Sequence, residues 1–206
     1  MQFLKDNKRL FYALLLLPLF FFYLDRQIML WLRDFKVDHP EVNLFLQGID
    51  PIVNLLYNAS IIMAFLFIVL KAFFRADLVK TLFYGIITTS IAVQSKHLIG
   101  RTRPKLGYDT VFTGPSLKYV YSSFPSGHTT FVFMFSSILS YYYPRYRLLF
   151  YGIAVWIGLE RIEDNAHFPS DVLGGAILGL LIGRFILYRF AKMSPRVRID
   201  NERILL

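Results

Sequence analysis

Residues 10–24, 52–70, 82–98, 129–143, 148–159 and 172–187 form six stretches of mostly apolar side chains, and nearly all of the charge lies between them. No other feature restricts the fold so strongly. Hydrocarbon offers no water to bond backbone N–H and C=O groups, so a stretch that enters it must close its hydrogen bonds internally, as a helix does. About 20 residues of helix cross the core of a bilayer. The expected fold is all-α, an integral membrane bundle of six transmembrane helices. Composition agrees, since 55% of the 206 residues are hydrophobic and only 18% charged, against about 25% charged in a soluble domain. Six spans and their connections use up the chain, so residues 1–206 are expected to form a single domain with no room for a soluble module.

The first stretch follows Lys5, Lys8 and Arg9, as the core of a secretory signal does, but it ends in Phe20, Phe21, Phe22, Tyr23, Asp25 and Arg26. That ending lacks the small-residue pattern of a cleavage site, so an uncleaved first span is expected. Residues 25–50 mix charge with Ile28, Leu30, Trp31, Leu32 and Phe35. This spacing suits an interfacial helix after the first span, its aromatic face toward lipid; an ordinary polar loop is the alternative.

The connections sort by charge. The N-terminal tail, residues 71–80, residues 144–147 and the tail after Tyr188 hold cations such as Lys8, Arg75, Arg147 and Arg196, while Asp25, Asp38, Glu41, Asp109, Glu163 and Asp164 fall in the other connections. Basic segments stay in the cytoplasm, which places both termini inside and residues 100–124 and 160–171 outside. The formal net charge of +9 invites a nucleic-acid partner, but the cations fall between apolar stretches rather than on one hydrophilic face, so none is expected. The chain has no cysteine, and neither a disulfide nor a thiolate metal site can form.

Three fragments on the outer side carry chemistry. Lys96 and Arg103 are seven residues apart, two turns of a helix, and can aim their arms at one anion from the same side of the third span; Pro104 marks where that helix gives way to loop. A snorkelling lysine beside a juxtamembrane arginine is the plain alternative. Pro125, Ser126, Gly127 and His128 precede the fourth span, where free first-turn amides form an anion site, Ser126 can add a hydroxyl and His128 can donate a proton. A simple capping turn with a surface histidine has the same residues. His167, Pro169 and Asp171 repeat the arrangement at the sixth span. Asp171 can accept the proton of one imidazole nitrogen and leave the other free to attack. Arg161 adds a planar fork suited to phosphate oxygens, unless it is taken up by Glu160, Glu163 or Asp164. A metal held by His128, His167 and Asp171 is also conceivable, although cations aimed at the same place repel a divalent ion, and no metal or other cofactor is expected.

The pattern Lys-x6-Arg-Pro, Pro-Ser-Gly-His and Arg-x5-His-x3-Asp, over residues 96–171, resembles the type 2 phosphatidic acid phosphatase superfamily, which includes bacterial membrane lipid phosphatases and, more distantly, vanadium haloperoxidases. The resemblance implies that Lys96, Arg103 and Arg161 hold a phosphate, helped by Ser126 and Gly127. It makes His167 the nucleophile, Asp171 its orienter and His128 the acid that protonates the departing oxygen and then the base for water. It implies a hydrolase of a lipid phosphate or diphosphate at the outer face of a bacterial inner membrane, with the bilayer and its lipid as the only partners named and no oligomeric state specified. Lipid A 1-phosphate, undecaprenyl diphosphate and phosphatidylglycerophosphate all suit such a site. Further cations at Arg101, Lys105 and Lys118 lean slightly toward a highly charged head group, hence toward lipid A. A haloperoxidase-like enzyme fits the membrane composition poorly, and a lipid-binding protein without turnover has no need of an oriented nucleophile. One departure stands out: the third motif of the family begins Ser-Arg, whereas Glu160 precedes Arg161 here, and a carboxylate there repels substrate unless it points away. His39 and His97 lie outside the pattern.

Overall fold

A computed structural model describes residues 7–69 and 76–191. The basic residues at 1–6, 70–75 and 192–206, on which the expected orientation largely rests, lie outside the described residues. Helical segments follow one another as α1 (Lys8–Leu14), α2 (Leu17–Leu19), a π-helical turn (Phe20–Leu24), α3 (Asp25–Asp38), α4 (Pro40–Val69), α5 (Ala76–Ala92), a 3₁₀ turn (Val93–Ser95), α6 (Lys96–Ile99), α7 (Gly127–Tyr142), α8 (Arg147–Glu163) and α9 (Pro169–Ala191). The described part is all-helical apart from an isolated antiparallel bridge between Arg101 and Phe112.

Two helices, Lys8–Asp38 and Pro169–Phe190, are long and apolar enough to cross a membrane. Helices α5, α7 and α8 coincide with other expected spans but have 17, 16 and 17 residues, slightly under the usual length. Residues 25–50 are helical rather than a polar loop. Helix α3 continues the preceding turn and stops at His39 (φ −128°, ψ 70°), where the following Pro40 disfavours α geometry; α4 begins at that proline.

The helices carry much apolar surface outside, and polar groups share the interior with an apolar core. Leu148, Trp156, Leu159, Phe185 and Ile91 face outward on the helices, whereas Thr81, Thr89, Ser123, Arg101, Arg103, Thr129, Thr130 and Asp171 are buried. Exposed apolar surface of this extent suits lipid rather than water. The apolar interior lies between α5, α7 and α9, where Leu78, Leu82, Met134, Ile138, Ile182 and Ile186 pack together. Val132, Ala154 and Ile157 join α7 to α8. Arg184 of α9 donates to the Asn7 side chain at 2.9 Å, tying the last helix to the first.

What sets the site is how closely α7 and α9 approach. A methyl group added at Gly175 would lie 2.7 Å from the Ser126 carbonyl oxygen, at Gly179 2.3 Å from that of Thr130, and at Gly183 2.7 Å from the Ser137 Cβ. Four-residue spacing puts these glycines on one stripe of α9, and small residues on such a stripe let two helix backbones touch. The N-terminal ends of both helices are thereby brought side by side, and the Ser126 amide donates to the Asp171 carbonyl at 3.0 Å.

Candidate active site

Phe168 opens α9 as its N-cap, since its carbonyl accepts from the amides of Asp171 and Val172. Asp171 returns the favour with its side chain, accepting from the Phe168 amide at 2.8 Å, the reciprocal bond of a capping box. This fixes the Asp171 carboxylate directly behind His167. Oδ2 also accepts from Ser123 Oγ at 2.5 Å and lies 3.7 Å from His167 Nδ1, and Ser123 Oγ is 3.4 Å from the same nitrogen. On the other side of the ring, Arg103 Nη1 donates to Nε2 at 3.4 Å. Nδ1 therefore carries the proton, and Nε2 keeps a lone pair turned toward a cation. His167 is buried; burial pushes its pKa down from the ordinary histidine value, against the charge of Asp171 that favours the imidazolium, while Arg103 and Arg161 push the same way as burial.

Arg103 is locked by backbone carbonyls, donating to Tyr119 (3.0 Å), Ala166 (2.9 Å) and Ser122 (3.1 Å), with its guanidinium 3.9 Å from the centre of the Tyr119 ring. The expected two-turn helical relation between Lys96 and Arg103 does not occur. The helix ends at Ile99, where Gly100 takes a left-handed conformation (φ 65°, ψ 40°) and approaches Gly114 so closely that a Cβ would lie 1.7 Å from its oxygen; only glycine fits. Arg103 follows in an extended conformation, held by its amide bond to the Val120 carbonyl at 2.9 Å. The turn nevertheless leaves the two cations near enough for the charge of Arg103 to act on Lys96.

His128 sits in the first turn of α7, half-buried, with Tyr57 of α4 against its ring at 4.0 Å between centroids. The charges of Arg161, His167, Arg103 and Lys96 all act on it. The structure thus gathers Lys96, Arg103, Arg161, His128, His167 and Asp171 in one place. Ser126 and Gly127 head the same turn. Ser126 Oγ accepts from Thr129 Oγ1 at 3.0 Å and its amide is used by Asp171, so the residues left to face an anion there are the following amides, since an α-helix leaves its first ones without internal acceptors. Arg161 donates through Nε and Nη2 to Glu160, the pairing that the sequence left open, while Glu163 is engaged by Lys36 and Asp164 by Lys105. Among the described residues no group of three or more His, Cys, Asp or Glu side chains is placed to hold a metal ion.

Residues 77–194 match the family model described as the PAP2 superfamily. The chain belongs to the PAP2 superfamily. Two relatives named lipid A 1-phosphatase, from Rhizobium etli and Rhizobium johnstonii, are 40% identical over 90 residues and 34% over 118, which is 41% and 54% of this chain and 38% and 47% of theirs. The chain thus spans less than half the length of these curated relatives. Among solved structures it is similar to Aquifex aeolicus LpxE, with a TM-score of 0.62 at 24% identity over 81% of this chain and 96% of that one. It is also similar to a PAP2-type phosphatidylglycerolphosphate phosphatase from Bacillus subtilis, with a TM-score of 0.54 at 21% identity over 92% and 98%. These two likenesses concern the fold.

Several residues of the PAP2 site had no sign in the sequence. Ser123 and Tyr57 reach the histidines through tertiary packing alone. Arg101, expected as an outward cation for a charged head group, is fully buried and bonded instead to Asp25 and Asp171. A buried charge must find a partner, and Asp25, which the charge sorting placed in an exposed connection, is that partner. Lys105 and Lys118 are exposed as expected.

Proposed function

We propose that this PAP2 protein hydrolyses a lipid phosphate or diphosphate through a phosphohistidine, without a metal. The observation that carries the reading is the arrangement around His167: Nδ1 faces Asp171 and Ser123 while Nε2 lies 3.4 Å from Arg103 Nη1, so the attacking lone pair and a phosphate-binding cation converge on one point. Lys96, Arg103 and the amides that open α7, at Gly127 and His128, neutralise the phosphate oxygens, Arg161 adds its charge from within its pair with Glu160, and Ser126 holds that turn. Nε2 of His167 bonds to phosphorus as the bond to the lipid oxygen breaks, and His128 gives that oxygen its proton. Water, losing a proton to His128, then cleaves the phosphorus–nitrogen bond and frees phosphate and the imidazole. Electrostatic stabilisation by prepositioned donors is the largest single contribution to such catalysis.

The site is placed at the outer face of a bacterial inner membrane, in one domain of six spans with both termini cytoplasmic, a reading supported by the charge sorting and the apolar helix surfaces. Lipid A 1-phosphate is the preferred substrate, narrowly, supported by the names of the Rhizobium relatives. With Arg101 buried, the cationic support for a highly charged head group comes from Lys105 and Lys118 alone. Phosphate release by the purified protein from lipid A, phosphatidylglycerophosphate, undecaprenyl diphosphate and phosphatidic acid tests the reading. Release that ceases in His167→Ala is expected; no release from any of the four would end it.

A further inference from the structure

Behind Asp171 lies a second ionic contact that the phosphatase reading does not use. The Arg101 fork is divided: Nη1 donates to Asp171 Oδ1 at 2.6 Å and to Ser170 Oγ at 2.5 Å, whereas Nη2 donates to Asp25 Oδ2 at 2.6 Å and to Thr110 Oγ1 at 3.0 Å. Asp25 in turn accepts from the Ser170 amide at 2.9 Å and from the Ser170 hydroxyl. Asp25, Arg101 and Asp171 all have zero side-chain exposure. The guanidinium plane is fixed by Phe168 and Phe21, whose ring centres lie 4.3 and 4.7 Å from its carbon.

An arginine beside one carboxylate prefers to grip both of its oxygens. Such a grip on Asp171 would draw Oδ2 away from Ser123, the Phe168 amide and His167. Asp25 prevents it by holding the other half of the fork, so that Arg101 restrains Oδ1 only and Oδ2 stays behind the imidazole. A simple anchor between α3 and α9 would have no reason to end on that one oxygen. Asp25 also lies outside residues 77–194, the part matched to the family. We propose that Asp25 and Arg101 are positioning residues that set the Asp171–His167 pair for attack. The proposal rests on the reading of His167 as nucleophile.

The test compares wild type, Asp25→Asn and Arg101→Lys as full-length purified protein. Asparagine keeps the acceptor for the Ser170 amide but loses the charge, and lysine cannot be divided between two carboxylates. In both variants kcat on a lipid phosphate should fall about 10- to 100-fold, the scale seen when an outer partner orienting a metal-bound histidine is removed. KM and competitive inhibition by inorganic phosphate should stay within about threefold, because neither residue touches the cradle, and acid-labile phosphoenzyme should form more slowly in a single turnover. Wild-type kcat in Asp25→Asn would overturn the proposal. So would a proportional loss of affinity for inorganic phosphate, or failure of both variants to fold, either of which marks a purely structural anchor. The reading of His167 is tested apart from this: wild-type protein that forms no phosphoenzyme, or a His167→Ala protein that still does, removes that reading whatever the Asp25 variant does.

Discussion

Adding one methyl group at Gly179 should disable the site without touching any residue in it. The new Cβ would stand 2.3 Å from the Thr130 carbonyl oxygen and 3.0 Å from the Met134 amide nitrogen, whereas ordinary contact begins at 3.4 Å. The obstacle is backbone and cannot rotate away, so α7 and α9 must part by about 3.4 − 2.3 = 1.1 Å. His128 rides on α7 and His167 is fixed to the start of α9, so the same displacement separates the proposed proton donor from the proposed nucleophile. A misplacement of about 1 Å costs on the order of 10²-fold in rate, and overpacking of this kind about 1–3 kcal/mol in stability. Gly179→Ala should therefore lose about 10²-fold in kcat/KM for phosphate release from a lipid phosphate in detergent micelles, with a lower Tm in the same detergent. Gly152→Ala in α8 is the control, because nothing lies within 4 Å of its added Cβ. Equal kcat/KM and equal Tm for the two variants would show that the backbone approach of α7 and α9 does not govern the site.

His128→Ala should be impaired by about 10²- to 10⁴-fold on a lipid monophosphate, whose alkoxide needs a proton, and markedly less on an aryl phosphate; an equal loss on both in kcat/KM, together with recovery of His167→Ala on the aryl phosphate, would reverse the roles of the two histidines. Activity should persist in EDTA and be inhibited by orthovanadate, whereas full loss in EDTA restored by Mg or Zn would contradict the histidine mechanism. A cysteine at Lys118 should react with an impermeant thiol reagent in intact spheroplasts and one at Arg147 only after the membrane is opened, and the opposite labelling would invert the site.

What could be read from the chain was the chemistry at helix ends. Phosphate calls for cations, amides and imidazoles in a short stretch, and Ser126 and Pro169 mark the helix starts that present them, so α7 and α9 begin where the motifs indicated. The periodicity of Lys96 and Arg103 misled because the left-handed turn at Gly100 is made favourable by Gly114, a neighbour fixed by the tertiary fold. Arg101 looked like a surface cation because its partners Asp25 and Asp171 are 76 and 70 residues away along the chain. Glu160 and Arg161 illustrate the opposite case: adjacent residues offered the pair openly, alongside Glu163 and Asp164, and packing chose among them by giving the other two acids to Lys36 and Lys105. Residues 25–50 combined charge with apolar spacing, and the break at His39 follows from Pro40 alone.

The bonds from Asp25 to Ser170 span 145 residues of chain. Asp25 is made long before Ser170 and Asp171, so this contact cannot form until the later residues have been added. The support behind Asp171 is therefore a property of the closed bundle and of no single segment of it.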